Sequence, residues 1–231
     1  MPASPSTTAV GNRILAGLPP AERRRLGADA EVVDWTAGEV LCDFGAPLRS
    51  VYFPRRGLVS LFARVEERRS IGVGFVRSDG VFGLVGTGGR ARSRLRAVAQ
   101  SAGGGERIEM GAFRRLLGTC PGLANASLAY AGAATEQVAQ NVVCTAFHSA
   151  RQRIARWLLD VSAGSGGDAL LVTQATIADS LGLQRPSVSR VTSVLQREGL
   201  LSYVRGRVTV RDRRALRVVA CGCTAGPVRL R

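Results

Sequence analysis

The chain of 231 residues contains no lysine, so all 32 of its basic side chains are arginine, set against 17 acidic ones for a net charge of +15. Such an excess favours a polyanionic partner such as nucleic acid, although an all-arginine bias can equally follow from genome composition. There is one histidine, His148. A barrel metalloenzyme needs two or three histidines or carboxylates converging on its ion, and that class is nearly excluded. Five cysteines, odd in number and widely spaced, make no disulfide framework. No basic segment followed by an apolar run opens the chain, and no stretch approaches membrane-spanning length. The expected setting is a reducing cytoplasm, with no membrane partner. Glycines at Gly86, Gly88 and Gly89, and again at Gly103 to Gly105, lack the Lys-Ser/Thr of a nucleotide loop and are expected to be plain loops.

What is present is concentrated between Gln174 and Val191. Ile177, Ala178 and Leu181 share one helical face, Gly182 stands where the chain must turn, and Val188 and Val191 lie one turn apart on a second helix. Leu183 plugs the gap beneath the corner. This is the skeleton of a helix-turn-helix, with Ala178 small because the second helix crosses there. Pro186 suits the first turn of that helix, since its missing N–H would be an orphan donor in any case. Left outside the buried stripe are Gln184, Arg185, Ser187, Ser189 and Arg190. Arginine takes guanine O6 and N7 with both arms, and serine or glutamine reaches phosphates or base edges, so this face is chemically suited to DNA. The bland alternative is a helical hairpin with a solvated basic face.

Residues 1–12 are expected to be a disordered leader. Residues 13–120 open with two short helices around Pro19-Pro20, the second carrying Glu22 in its first turn. Short β-rich runs at 32–35, 40–42, 51–54, 58–63, 70–76 and 96–99, separated by Gly and Pro turns, predict a small β-barrel or jelly roll within residues 30–110. Residues 121–147 form a long helix on which Ala124, Leu128, Ala131, Thr135, Val138, Val142 and Thr145 recur at alternating steps of four and three. Such a seam suits a coiled-coil dimer, and packing on the chain's own barrel is the alternative; both can hold on different faces. Residues 148–220 begin with a helix whose Arg151, Arg153 and Arg156 are expected to face water or phosphate. The helix-turn-helix follows, stops at Gly199, and leads into a hairpin turning at Arg205-Gly206. A helix-turn-helix with such a hairpin is a winged helix, with Thr173, Arg205 and Arg207 as phosphate contacts. Residues 221–231 are read as a tail.

This order of parts, with Gly38-Glu39-Val40-Leu41, Val51-Tyr52-Phe53-Pro54, Ser78-Asp79-Gly80-Val81-Phe82-Gly83-Leu84, the stretch 148–159 and Arg205-Gly206-Arg207, resembles the Crp/Fnr family of bacterial transcription regulators over nearly the whole chain. The resemblance implies an α+β fold: an N-terminal cyclic-nucleotide-binding-like β-barrel or jelly roll, a long dimerisation helix and a C-terminal winged helix-turn-helix. It implies a homodimer that places one recognition helix in each half-site of a roughly palindromic operator on double-stranded DNA. RNA polymerase is a further expected partner, and no enzymatic activity is expected. The family's recognition helix usually begins Arg-Glu with a further Arg one turn on. Arg185 and Arg190 match, but Pro186 replaces the Glu, so the operator should differ from that of the cyclic AMP receptor.

The family's nucleotide cassette uses a Gly-Glu pair for the ribose and an Arg-Ser for the cyclic phosphate. Here Gly83 is followed by Leu84, which accepts no hydrogen bond, and positive charge is left to Arg92-Ser93 or Arg96. Gly83, Leu84, Arg92, Ser93 and Arg96 are therefore the candidate effector-pocket residues, with neither cyclic nucleotide nor other cofactor expected. A second reading keeps the fold but makes the barrel and long helix a protein-interaction module without a small ligand. The cysteine cluster that iron–sulfur sensors of the family carry near the N-terminus is missing, and haem is not indicated. Cys144 and His148, four apart on a helix, share a face but have no third ligand nearby in sequence, and Cys221-Gly222-Cys223 makes half a site. The expectation is a buried cysteine, a hinge-packing histidine and no metal.

Overall fold

The computed structural model describes residues 11–66, 69–89, 92–165, 167 and 169–223. Helix α1 (Arg13–Ala16) is capped by Asn12, whose Oδ1 accepts from the Ile14 and Leu15 amides while its Nδ2 donates to the carbonyls of Pro54 and Gly80. Asn12 is thus buried and built into the fold. The leader expected over 1–12 is corrected at that end, and residues 1–10 lie outside the described residues.

After α2 (Pro20–Asp29) come β1 (Ala30–Trp35), β2 (Val40–Cys42), β3 (Ser50–Arg56), β4 (Val59–Glu66), β5 (Arg69–Val76), β6 (Leu95–Ala99) and β7 (Gly103–Glu109). They form two antiparallel sheets, ordered β1-β7-β3 and β2-β6-β4-β5. The arrangement is a jelly-roll sandwich, and among the described residues the sheets do not close into a barrel. Gly103, Gly104 and Gly105 are not a loop: they open the central strand β7. A Cβ on Gly103 would stand 2.6 Å from Trp35 Nε1, and one on Gly105 would run into the backbone of Phe53 and Pro54, so only glycine fits between the flanking strands.

Helix α3 (Met110–Thr119) leads into α4 (Pro121–Phe147). Glu22 lies in the first turn of α2 but gives its carboxylate to α4, accepting from the amides of Gly122 at 3.0 Å and Leu123 at 2.9 Å. An acidic group at a helix N-terminus satisfies orphan donors and meets the positive end of the dipole. Along α4, Leu123, Ser127, Tyr130, Ala134, Gln137, Asn141 and Cys144 turn toward the chain's own body at steps of four and three. One residue further on, Leu128, Ala131, Thr135, Val138, Val142 and Thr145 all remain exposed.

The remainder comprises α5 (Ala150–Ser165), β8 (Ala169–Leu171), α6 (Gln174–Leu181), α7 (Arg185–Arg197), β9 (Leu201–Val204), β10 (Arg207–Val210) and α8 (Arg213–Val219). The hairpin is widened to a three-stranded sheet, β8-β10-β9. Its core gathers Ile154, Trp157, Leu158, Ile177, Val188, Leu195, Val208 and Leu216, with Leu58 reaching in from the jelly roll. Two arginines of α5 depart from expectation. Arg153 and Arg156 are buried because protein acceptors meet their guanidinium groups: Leu181 O and Thr145 Oγ1 for Arg153, Cys223 O and Asn141 Oδ1 for Arg156. Arg151 makes a two-armed pair with Glu198 at the end of α7. Cys221, assigned to a tail, is buried against Cys144 of α4.

Strand β5 touches α6. A Cβ on Gly72 would meet the Ser180 carbonyl oxygen at 2.5 Å, Ile71 sits against Gly182, and Asn141 of α4 donates to Val73 O at 3.0 Å. Loss of the Glu22 cap should weaken the first turn of α4: Glu22→Ala is expected to lower unfolding free energy by about 1 kcal/mol, read by urea denaturation, with Glu22→Gln costing less.

Candidate nucleic-acid interface

The corner between α6 and α7 is set by short-range sterics. Thr173 caps α6 by accepting from the Thr176 amide, and Gly182 closes it in the left-handed region at φ 61° and ψ 36°. Leu183 N returns to Ala178 O at 2.9 Å, and Ala178 is buried where the helices cross. Val188, Thr192 and Leu195 form the inward face of α7, with the Thr192 hydroxyl donating back to Val188 O at 2.9 Å. Tyr203 of β9 locks the wing to both helices: its OH accepts from Gln174 N at 3.0 Å, and its amide donates to Gln196 Oε1 at 3.2 Å. The wing turns at Arg205 and Gly206, both at positive φ (47° and 76°), in a two-residue connection whose twist suits the hairpin.

On this support Gln184, Arg185 and Arg190 are exposed and Ser187 and Ser189 half-exposed. Thr173, Arg205 and Arg207 are exposed beside them. Among the described residues none of these four arginines is ion-paired. The outward face of α7 also continues through exposed Ser193 and Arg197, at spacings of three and four that the sequence already held. The geometry defines a winged helix-turn-helix, a DNA-binding unit, joined by a long helix to a jelly roll.

A cavity of about 1200 Å³ lies between that jelly roll and α4. Gly83, Leu84 and Ser93 of the candidate pocket set line it, together with Leu61, Val73, Phe75 and Tyr130. Arg92 and Arg96 do not. Arg92 donates to Gly45 O at 2.7 Å, and Arg96 makes a two-armed pair with Asp43 while lying over the Phe44 ring. Arg96 in turn holds the Asp43 carboxyl below the usual carboxylate range. Burial pushes the Tyr130 phenol up to about 12, so it stays neutral in the cavity wall.

Residues 152–219 match the family model of the Crp-like helix-turn-helix domain. Among solved structures, the CRP/FNR-family transcriptional regulator TTHA1359 from Thermus thermophilus is 25% identical, with 82% of this chain and 98% of that one covered at a TM-score of 0.69. The c-di-GMP-responsive global regulator CLP from Xanthomonas campestris is 19% identical at a TM-score of 0.71 (84% and 100% covered). FixK2 from Bradyrhizobium japonicum is 20% identical at 0.68 (84% and 98%). Curated protein sequences yield no match. Residues 152–219 thus carry a Crp-like helix-turn-helix domain, and the chain as a whole shares the fold of CRP/FNR-family transcriptional regulators.

Proposed function

We propose that the protein acts as a homodimer on a roughly palindromic operator, with Gln184, Arg185, Ser187, Ser189 and Arg190 reading bases and Thr173, Arg205 and Arg207 holding phosphates. The observation that carries this reading is a projecting α7 whose Arg185 and Arg190 stand exposed and, among the described residues, without an ion pair, on a buried, small-residue helix crossing. Solvated guanidinium groups need not break internal pairs before taking a guanine or a phosphate. Dimerisation is supported by α4, where Leu128 is 74% and Val142 65% exposed on an apolar seam at coiled-coil spacing. A cytoplasmic location and contact with RNA polymerase belong to the same reading; among the described residues no helix is long and apolar enough to cross a membrane.

The jelly-roll cavity is read as the effector site, for a largely apolar ligand and not a cyclic nucleotide. Among the described residues its charged lining is Asp29, Glu31 and Glu109 against Arg49 and Arg107, and Arg107 is already paired with Glu31 at 2.5 Å. Among the described residues a cyclic phosphate would meet more anions than cations there. The cavity itself favours this reading over an interaction module without ligand.

Three outcomes follow. On an operator selected from random duplex, Arg185→Ala or Arg190→Ala should lose about 1–3 kcal/mol of discrimination at one base pair, whereas Arg205→Ala should weaken all sequences alike and lower the salt slope by about one. Equal loss on operator and random DNA for Arg185→Ala would rule out base reading. Val142→Arg should raise the dimer dissociation constant at least tenfold, about 1.4 kcal/mol, in sedimentation equilibrium. Calorimetry should register no saturable heat with cyclic AMP, and Leu61→Trp, which fills the cavity, should remove the heat of any apolar metabolite that does bind.

A further inference from the structure

The two half-sites that lie far apart in the sequence meet in space. Cys144 sits in the last turn of α4 and His148 caps that helix, while the segment after α8 returns across the same end carrying Cys221 and Cys223. Cys144 Sγ lies 3.4 Å from Cys221 Sγ, and Cys223 Sγ lies 3.5 Å from His148 Nδ1. All four ligand atoms fall within 4.8 Å of one another. A tetrahedral zinc ion with sulfur at 2.3 Å and nitrogen near 2.0 Å needs edges of roughly 3.8 Å between sulfurs and roughly 3.5 Å from sulfur to nitrogen. The cluster is therefore at coordination size before any side chain moves. It is too compact for an iron–sulfur cluster, which seats its ligands on separate iron atoms.

The surroundings fit an ion as well. Arg153 and Arg156 are each only 8% exposed. Among the described residues Arg153 has no carboxylate partner, and the nearest to Arg156 is Asp160 at 3.8 Å. Two buried cations beside three neutral thiols are poorly compensated. Three thiolates, one neutral imidazole and Zn²⁺ carry one net negative charge, which meets that deficit. Gln140 Nε2 donates to Cys223 Sγ at 3.0 Å, and Arg156 Nη1 donates to Cys223 O at 2.8 Å, so the thiol and its backbone are already oriented.

We propose that Cys144, His148, Cys221 and Cys223 form a closed Cys₃His zinc site that clamps the far end of the DNA-binding unit to the long helix. Binding releases the thiol protons to solvent and leaves no coordination position open, so the ion is structural. The expectation of no metal rested on the missing third and fourth ligands, and the return of the chain after α8 brings those side chains into reach. His148 and Ser149 are the only residues between α4 and α5, and His148 is extended at φ −113° and ψ 143°. An ion held there fixes the angle at which α4 carries its winged helix. This site does not depend on how α7 reads DNA.

The test uses the full-length, tag-free, reduced protein. Metal analysis should find one zinc per chain, and Co²⁺ replacement should give the intense visible bands of a tetrahedral ion with thiolate-to-cobalt charge transfer. Cys144→Ser, Cys221→Ser, Cys223→Ser and His148→Gln should each abolish stoichiometric binding; Cys42→Ser and Cys120→Ser should leave it intact. Gln140→Leu should weaken zinc affinity roughly tenfold or more. Should Cys144→Ser fail to fold, the half-buried Cys223 and His148 variants carry the test. A reduced wild type that takes up no zinc, uptake that survives the Cys223 and His148 changes, or a Cys144–Cys221 disulfide in protein trapped by alkylation at lysis would overturn the site. Chelation that removes zinc yet leaves duplex affinity unchanged would overturn the clamp.

Discussion

The packing of α4 is the constraint on which the other parts depend, because one helix must serve two neighbours at once. Its inward stripe, from Leu123 through Tyr130 and Asn141 to Cys144, fastens it to the jelly roll and to the returning C-terminal segment. The stripe one residue over is left apolar and open. Both run at steps of four and three, the period that keeps a face aligned over a helix of 27 residues. Glu22 anchors the first turn and the His148 break ends it.

Legibility in the sequence followed the range of the forces involved. The helix-turn-helix could be read residue by residue because its demands are local: a small Ala178 at the crossing, a left-handed Gly182 and a proline in the first turn of α7. The strands were recognisable as β-rich runs, yet β7 was missed at its glycines, where the reason for having no side chain is supplied by Trp35, Phe53 and Pro54 elsewhere in the chain. The burial of Arg153 and Arg156 was equally invisible, since their acceptors come from other elements. Cys144 and Cys221 are 77 positions apart, and spacing rules do not reach across a fold. Of the five residues chosen by motif, Gly83, Leu84 and Ser93 line the cavity, whereas Arg92 and Arg96 have partners that only the folded chain reveals.

A chain without lysine uses one side chain for two opposite tasks. At the surface of α7 and the wing the guanidinium is left solvated. Inside, its planar fork satisfies several acceptors at once, as when Arg153 reaches Leu181 O, an orphan carbonyl in the last turn of α6. An ammonium on a flexible stem would not hold that geometry.

Strand β5 has a further consequence. One stretch of it, Val73 to Phe75, bounds the cavity, while the adjoining Ile71 and Gly72 press on the corner of the DNA-binding unit with no spare room. It is a party wall between the cavity and that corner. Interiors are close-packed, so on this strand the cavity wall and the support of the helix-turn-helix corner are the same few residues, with no loop between them.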